Sequence, residues 1–241
     1  MRIAVISDIH SNADALDAVL KDIDVSLVDG IMSLGDNIGY GPDPESVIRK
    51  IREREVPSVL GNHELAALDQ SYLSCLNPHA RKALLKNFSM MSEESINYIK
   101  RLKSHFQIGN FYFVHGFPPD AVTTYFYFVK DDSMMSILNH MTSRVCFIGH
   151  THDLNIAYIG QDKMIRKSLG KGITYLDDSR KYIVNVGSVG QPRCSDKSAK
   201  YVILDEEKNT LEVRSVLYDP SNTVQRIQEL GLPYQYAERL L

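Results

Sequence analysis

Five short polar clusters in this chain each follow directly on a run of apolar residues. They are Asp8-Ile9-His10, Gly35-Asp36-Asn37, Gly61-Asn62-His63-Glu64, His115-Gly116 and Gly149-His150-Thr151-His152. The runs before them read as buried strands: Ile3 to Ile6, Ile31 to Leu34, Val56 to Leu60, the stretch up to His115, and Val145 to Ile148. In an α/β sheet, ligands are held at the carboxyl ends of strands. Five loops of this kind can therefore converge on one spot, and a fold for this chain has to allow that.

The rest of the pattern is α/β. Asn12 can cap a helix carrying Leu16, Val19, Leu20 and Ile23 at helical spacing, and Pro44 suits the first turn of a second helix through Val47, Ile48 and Ile51. Residues from about 77 to 103 read as helices only, with Ser92 as a cap, so a helical insertion is expected at about 72–105. Phe106 to His115, split by Gly109-Asn110, reads as a hairpin. Phe117 to Val129 is rich in aromatics, and a short helix follows near 133–141. The C-terminal half is mostly strands: Asn155 to Ile159, Lys163 to Ser168, Ile173 to Leu176, Tyr182 to Val186, Tyr201 to Leu204 and Leu211 to Val216. A last helix spans about 222–230 and stops at Gly231. This order predicts two packed sheets with helices outside, in one domain over 1–241, because no linker marks a boundary.

The cluster residues are carboxylates, imidazoles and an amide, the donors of hard and borderline divalent metals. Asp8 and His10 are two apart, as are His150 and His152, so in an extended segment each pair would point to one side. The glycines allow close backbone approach beside them. Seven candidate donors exceed one tetrahedral site, which takes four, and suit two ions sharing a bridge. Singly, each cluster has an ordinary explanation: Asp-x-His as a turn or cap, Gly-Asn-His-Glu as a helix start capped by Asn62, Gly-His-x-His as a metal site or not. Jointly they hold five of the eight histidines, each after a strand, and independent structural explanations would have to coincide five times.

Composition removes other classes. The 241 residues are 44% hydrophobic and 24% charged, with 27 basic and 30 acidic residues and a net charge of −3. That balance disfavours a dedicated nucleic-acid binder. Three widely spaced cysteines, Cys75, Cys146 and Cys194, form no CxxC and suit a reducing compartment, so the expected location is the cytoplasm. No stretch approaches the ~20 apolar residues that span a bilayer, and no membrane partner is expected.

In order, these clusters resemble the calcineurin-like metallophosphoesterase superfamily. Gly35-Asp36-Asn37-Ile38-Gly39-Tyr40-Gly41-Pro42 and Asn185-Val186-Gly187-Ser188-Val189-Gly190-Gln191-Pro192-Arg193 look like its small bacterial and archaeal predicted phosphodiesterase (diadenosine-tetraphosphatase-like) branch. The resemblance runs from Asp8 to Arg193. It implies a four-layer α/β/β/α sandwich of two mixed sheets, the metallo-dependent phosphatase fold. It also implies two divalent metal ions, with manganese first and Fe, Zn, Ni or Co accommodated. Asp8, His10 and His152 would hold one ion, Asn62, His115 and His150 the other, and Asp36 both. His63 would lie beside the phosphate as the catalytic histidine, and a metal-bridging hydroxide would attack in line. The substrate would be small and phosphorylated: a phosphodiester, a phosphomonoester or a dinucleoside polyphosphate.

The sequence also departs from part of that superfamily. Protein serine/threonine phosphatases continue the second motif as Gly-Asp-x-Val-Asp-Arg-Gly, whereas here Ile38, Gly39 and Tyr40 follow Asn37. The acidic partner of the catalytic histidine and a phosphate-binding arginine are missing there, and Arg193 is the candidate replacement cation. Tyr40 and the aromatics of 117–128 are candidates to stack on a nucleobase or simply to pack. Asn12 could contact phosphate besides capping its helix, and Glu64 is expected to support a helix N-terminus. Two alternatives remain: a scaffold protein on the same fold, against which the full donor set argues, and a nucleic-acid phosphodiesterase, against which the net charge argues.

Overall fold

The first strand, β1 (Arg2–Ile6), is apolar at every position after Arg2 because both of its faces are covered. Ile3 and Val5 point into a core shared by two sheets, while Ala4 and Ile6 face helices. The computed structural model describes residues 1–241. After β1 come α1 (Ala13–Asp24), β2 (Gly30–Ser33), α2 (Pro44–Glu53), α3 (Asn62–Leu68), a 3-10 turn at Gln70–Cys75, α4 (Pro78–Ser89) and α5 (Glu93–Ile99). Next are β3 (His105–Ile108), β4 (Phe111–Val114), a 3-10 turn at Phe126–Phe128, α6 (Asp131–His140), β5 (Val145–Ile148), β6 (Leu154–Gly160), β7 (Lys163–Ser168), β8 (Gly172–Tyr175) and β9 (Tyr182–Val186). The chain ends with β10 (Ala199–Asp205), β11 (Thr210–Val216), α7 (Ser221–Glu229) and α8 (Gln235–Glu238).

One sheet has the order β2-β1-β10-β11-β8 and the other β3-β4-β5-β9-β6-β7. Both are mixed: β1 pairs β2 in parallel and β10 antiparallel, and β5 lies parallel to β4 and β9 while β6 runs against β9. Their facing sides share one cluster, with Val5, Met32, Val202 and Val213 from the first sheet meeting Phe113, Phe147, Val184 and Val186 from the second. Helices α1 and α2 cover the outer face of the first sheet through Leu16, Val19, Val47 and Ile51. Helix α6 covers the second through Met134 and Leu138, against Cys146 and Ile148. The layers are thus α/β/β/α. Asn12 and Ser92 cap α1 and α5 as the sequence indicates, and Asn77 caps α4; each side chain accepts a backbone N–H.

One expectation needs correction. Val56 to Leu60 is not a third strand. It touches β2 through the single bridge Ser33–Ser58 and continues to Lys103 through Val59. Pro57 in its middle has no N–H to donate, and Glu55 before it sits at φ +51°, which turns the chain out of the extended path. The short helix α8 beyond Pro233 leaves too little periodicity to be read in advance; Tyr236 and Ala237 bury it against α4 and α7.

Phe113 and Phe147 stack at 5.4 Å in the centre of the shared core. Phe147→Ala should cost about 3–5 kcal/mol of unfolding free energy. Chemical denaturation checks this, and a loss under about 1 kcal/mol would show that the sheets do not depend on this contact.

Candidate metal centre

The loops leaving β1, β2, β4 and β5, with the N-terminus of α3, meet at one end of the sandwich. Asp8 and His10 follow β1, Asp36 follows β2, His115 follows β4, and His150 and His152 follow β5. All are buried. Asp8, His10 and His152 lie together, as do His10, Asp36 and His63, and Asp36, His115 and His150.

The paired residues are not extended, as their spacing suggested. Asp8, His10, Asp36, His150 and His152 have φ of +54°, +50°, +50°, +67° and +63°. Left-handed backbone at such side chains costs of order 1–3 kcal/mol each and persists only where its surroundings over-determine it. Here the loops are stitched to one another: Asp8 N–H donates to Gly35 O (3.1 Å), His10 N–H to Asp36 O (2.9 Å), and Gly190 N–H to Asp8 O (3.0 Å). Two glycines permit the approach. A Cβ on Gly61 would lie 2.1 Å from Asp36 N, and one on Gly149 would lie 2.0 Å from Ser7 Oγ and 2.7 Å from Asp8 Oδ2.

The two carboxylates are held alike, by one oxygen. Asp8 Oδ2 accepts from Ser7 Oγ (2.6 Å) and His150 N (3.0 Å), while its Oδ1 has no hydrogen-bond partner and lies 3.3 Å from His152 Nε2 and 3.7 Å from His10 Nε2. Asp36 Oδ1 accepts from His63 N (2.8 Å). Its Oδ2 faces His115 Nε2 at 3.4 Å, His10 Nε2 at 3.7 Å and His63 Nε2 at 4.0 Å.

Three imidazoles have their tautomer set from outside the cluster. His10 Nδ1–H donates to Ile38 O (3.1 Å), His115 Nδ1–H to Leu34 O (2.7 Å) and His152 Nδ1–H to Gln191 O (2.6 Å). Their Nε2 atoms then turn inward. His10 and His152 bring two Nε2 atoms to 3.1 Å beside the bare Asp8 oxygen. His115 Nε2 is 3.0 Å from Asn62 Oδ1 and 3.2 Å from His150 Nδ1. On the Asp8 side, buried nitrogen and oxygen lone pairs face one another and call for a cation among them, and the whole set of carboxylate, imidazole and amide donors fits divalent metal ions.

Burial opposes ionisation of Asp8 and Asp36, yet the imidazoles hold both carboxyls well below the usual range, with His152 foremost at Asp8 and His115 at Asp36. Burial pushes His150 down to about 3, His152 to about 4 and His63 to about 3. Burial acts against His115 too, but Asp36 outweighs it and brings His115 up to about 9. Its inward Nε2–H then stands among the oxygens and nitrogen that would otherwise face a cation.

Sequence-predicted residues fare differently. Asn62 is not a cap: Gly61 occupies that position, and Asn62 is the first residue of α3 with its side chain at His115. Asn12 does cap α1, but its amide is fully engaged, donating to Gly190 O and Tyr218 Oη and accepting from Ala15 N and Thr223 Oγ1, which leaves nothing for a phosphate. The Tyr40 ring is taken up by His10 at 4.3 Å, His63 at 4.6 Å and Tyr236 at 4.5 Å, so it cannot stack on a base. Arg193 is exposed at the mouth of the site, and its charge acts on Tyr40, Tyr125 and His152. His63 Nδ1 is buried without a partner, in keeping with the missing acidic residue.

Several residues support the site in ways the sequence did not assign. Glu64 does more than serve α3: its carboxylate accepts from Asp36, Asn37, Ile38 and Gly61 N–H groups at 2.7–3.3 Å and fastens two ligand loops together. Asn185 donates to Gly149 O (2.7 Å) and Thr151 Oγ1 (2.9 Å), and Ser188 donates to Asp8 O (2.8 Å). Asn87 of α4 holds Ser11, Gly39 and Gly41.

The cavity over these donors is about 40 Å³. Cys75, Leu76, Asn77 and Ala80 of the helical stretch roof it, and Tyr125 and Arg193 complete its rim. A larger groove of about 750 Å³ opens at the other ends of β1 and β2, but it gathers no cluster of metal-ligating side chains, and Arg54 and Asp24 there are already paired.

A profile of the calcineurin-like phosphoesterase superfamily domain matches residues 1–209. The chain is 33% identical over 242 residues to an uncharacterized protein of Methanocaldococcus jannaschii, covering 99% of this chain and 96% of that one. Among solved structures, a metallophosphoesterase from Sphaerobacter thermophilus matches with a TM-score of 0.83 at 33% identity, over 100% of this chain and 98% of that chain. A hypothetical protein from Pyrococcus horikoshii OT3 matches with a TM-score of 0.80 at 19% identity, over 99% and 97%, which is a likeness of fold.

The His115 proton gives a test. Its folded pKa, about 9, lies above the ordinary 6.5. The proton therefore stabilises the metal-free fold fully below about 6.5, and that contribution is lost as pH rises through about 9. If His115 is a ligand, a cation displaces this proton, and metal loading at neutral pH should release it to the buffer. Titration calorimetry in buffers of different ionisation heat reads this directly. Loading without proton release would put the proton elsewhere.

Proposed function

The chain belongs to the calcineurin-like phosphoesterase superfamily and is a metal-dependent phosphoesterase, and from that premise we propose how its residues divide the work. Asp8, His10 and His152 hold one divalent ion, Asn62, His115 and His150 hold a second, and Asp36 serves both. The observation that carries this reading is Asp36 Oδ2, which faces His10 on one side and His115 on the other at 3.7 and 3.4 Å. Mixed oxygen and imidazole donors suit manganese first and accommodate Fe, Zn, Ni or Co. Such ions, when bound, polarise phosphoryl oxygens and acidify water for in-line attack.

The chain's own side chains do the rest. Asp8 and Asp36 keep one oxygen each on Ser7 and on backbone amides, so their free oxygens do not reorient during turnover. Arg193 binds phosphoryl oxygens from the rim with its planar guanidinium. His63 is neutral at pH 7 with no carboxylate behind it, so it donates a hydrogen bond to the oxygen that gains charge and does not deliver a full proton from an imidazolium. A cavity of about 40 Å³ takes the phosphoryl group and leaves the remainder of the substrate outside it. This supports a small phosphodiester, phosphomonoester or dinucleoside polyphosphate as substrate. Free thiols at Cys75, Cys146 and Cys194 suit the cytoplasm, and no helix is long and apolar enough to cross a membrane.

Hydrolysis of bis(p-nitrophenyl) phosphate and p-nitrophenyl phosphate with added manganese tests the reading. Asp36→Asn should strip more metal than any other single ligand change, by elemental analysis. If it keeps two ions per chain and full rate, the bridge is misassigned. His63→Ala should keep the metal and lose about 10²–10³-fold in turnover. An unchanged rate removes His63 from the mechanism.

A further inference from the structure

We propose that Tyr125, Tyr127 and Phe128 form a stacking ledge for a nucleobase, so that the phosphoryl group entering the cavity belongs to a nucleotide. This rests on the phosphoesterase reading of the cavity and adds the chemical class of what lies outside it.

The ledge is continuous with the metal centre. Tyr125 lines the cavity and stacks on the His150 ring at 3.9 Å and 28°. Tyr127 stacks on Tyr125 at 5.2 Å, also at 28°, and Phe128 meets Tyr127 edge-on at 4.6 Å and Tyr125 at 6.1 Å. The outer two rings are open to solvent, Tyr127 at 54% and Phe128 at 76%. Other large apolar side chains are as exposed, but these rings are contiguous and adjoin the cavity, and a contiguous exposed patch of that kind marks a ligand or partner site.

The turn is rigid. Phe126 is buried, and Arg166 lies 5.3 Å from its ring while donating to Phe126 O at 3.1 Å. Arg166 also pairs with Asp131 (Nε to Oδ1, 2.9 Å). The exposed rings thus stand on a clamped segment and lose little freedom when a flat group settles on them.

Size and charge select the occupant. The cavity holds a phosphoryl group and little more, so the organic part of the substrate must run along the rim, where Tyr125 leads to the ledge. The patch is a few rings wide and is followed at once by exposed Lys130, Asp131 and Asp132, whereas a stable protein interface takes about 800 Å² from each partner. Aromatic rings stack on any base through its π-face, with no hydrogen-bond readout needed.

The test uses the manganese-loaded full chain and two inhibitors that differ only by the base, AMP and ribose 5-phosphate. Each is titrated against bis(p-nitrophenyl) phosphate hydrolysis. AMP should bind at least about fivefold tighter. Phe128→Ala and Tyr127→Ala should erase most of that ratio. Neither should change the inhibition by ribose 5-phosphate, and Phe128→Tyr should keep the preference. Equal inhibition by the two compounds in the wild type overturns the ledge while leaving the metal centre intact. A preference that survives both alanine variants overturns it too. So does a change in self-association on Phe128→Ala with the preference unchanged, since the rings would then be a contact between copies. If the wild type hydrolyses no phosphoester, the cavity reading has failed and the ledge fails with it.

Discussion

Everything at this site depends on holding electron-rich atoms face to face inside a protein. Asp8 Oδ1, Asp36 Oδ2, the Nε2 atoms of His10, His115 and His152, His150 Nδ1 and Asn62 Oδ1 all point at one another from buried positions. Left alone such a set would spread apart. It stays together because the back of each donor is fixed, at Leu34 O, Ile38 O and Gln191 O for the imidazoles, and at Ser7 Oγ and the backbone N–H groups of His63 and His150 for the carboxylates. The left-handed backbone at five of these residues has the same origin: strain is tolerated where neighbouring loops leave no alternative.

That rigidity is inherited from the sandwich. The loops leave strands whose other residues fill a core common to both sheets, so β1 and β5 cannot shift independently. Glu64 then ties the loop after β2 to the start of α3 through four amides, and Asn185 and Ser188 tie the loops after β5 and β1 to the end of β9. The positions of these side chains are thereby set by the fold itself.

The strands and donors were legible in the sequence because each signal is local: an apolar run, then a donor cluster. What was not legible is tertiary. A spacing of two between Asp8 and His10 says that they act together. It does not say whether they do so from an extended strand or, as here, from two left-handed turns. Asn62 has the residue type of a cap and lost that role to Gly61, since its amide oxygen is needed at His115. Asn12 looked available and was not, because Gly190 and Tyr218, nearly two hundred residues on, claim its amide. Asn87 sits within an ordinary helix, and nothing nearby in sequence reveals that it holds Gly39 and Gly41. Val56 to Leu60 had a strand's composition, but Pro57 cannot donate to a ladder.

The loop after Asp36 explains how the rim is built. Gly39 and Tyr40 stand where a protein phosphatase-like motif would carry an acid and an arginine. Tyr40 instead packs its ring between His10, His63 and Tyr236, which closes that side of the cavity and joins it to α8. A Cβ at Gly39 would fall 2.0 Å from His63 Nδ1, so the residue that frees space for the histidine is also the one that leaves it without a carboxylate. Arg193, exposed in the loop after β9, is the cationic side chain that lines the cavity. Tyr40, Leu76, Ala80, Tyr125 and Arg193 line the same cavity, and of these Arg193 is exposed. If a phosphoryl group enters there, as proposed, the rest of its molecule has to lie outside the cavity beside Arg193 and Tyr125.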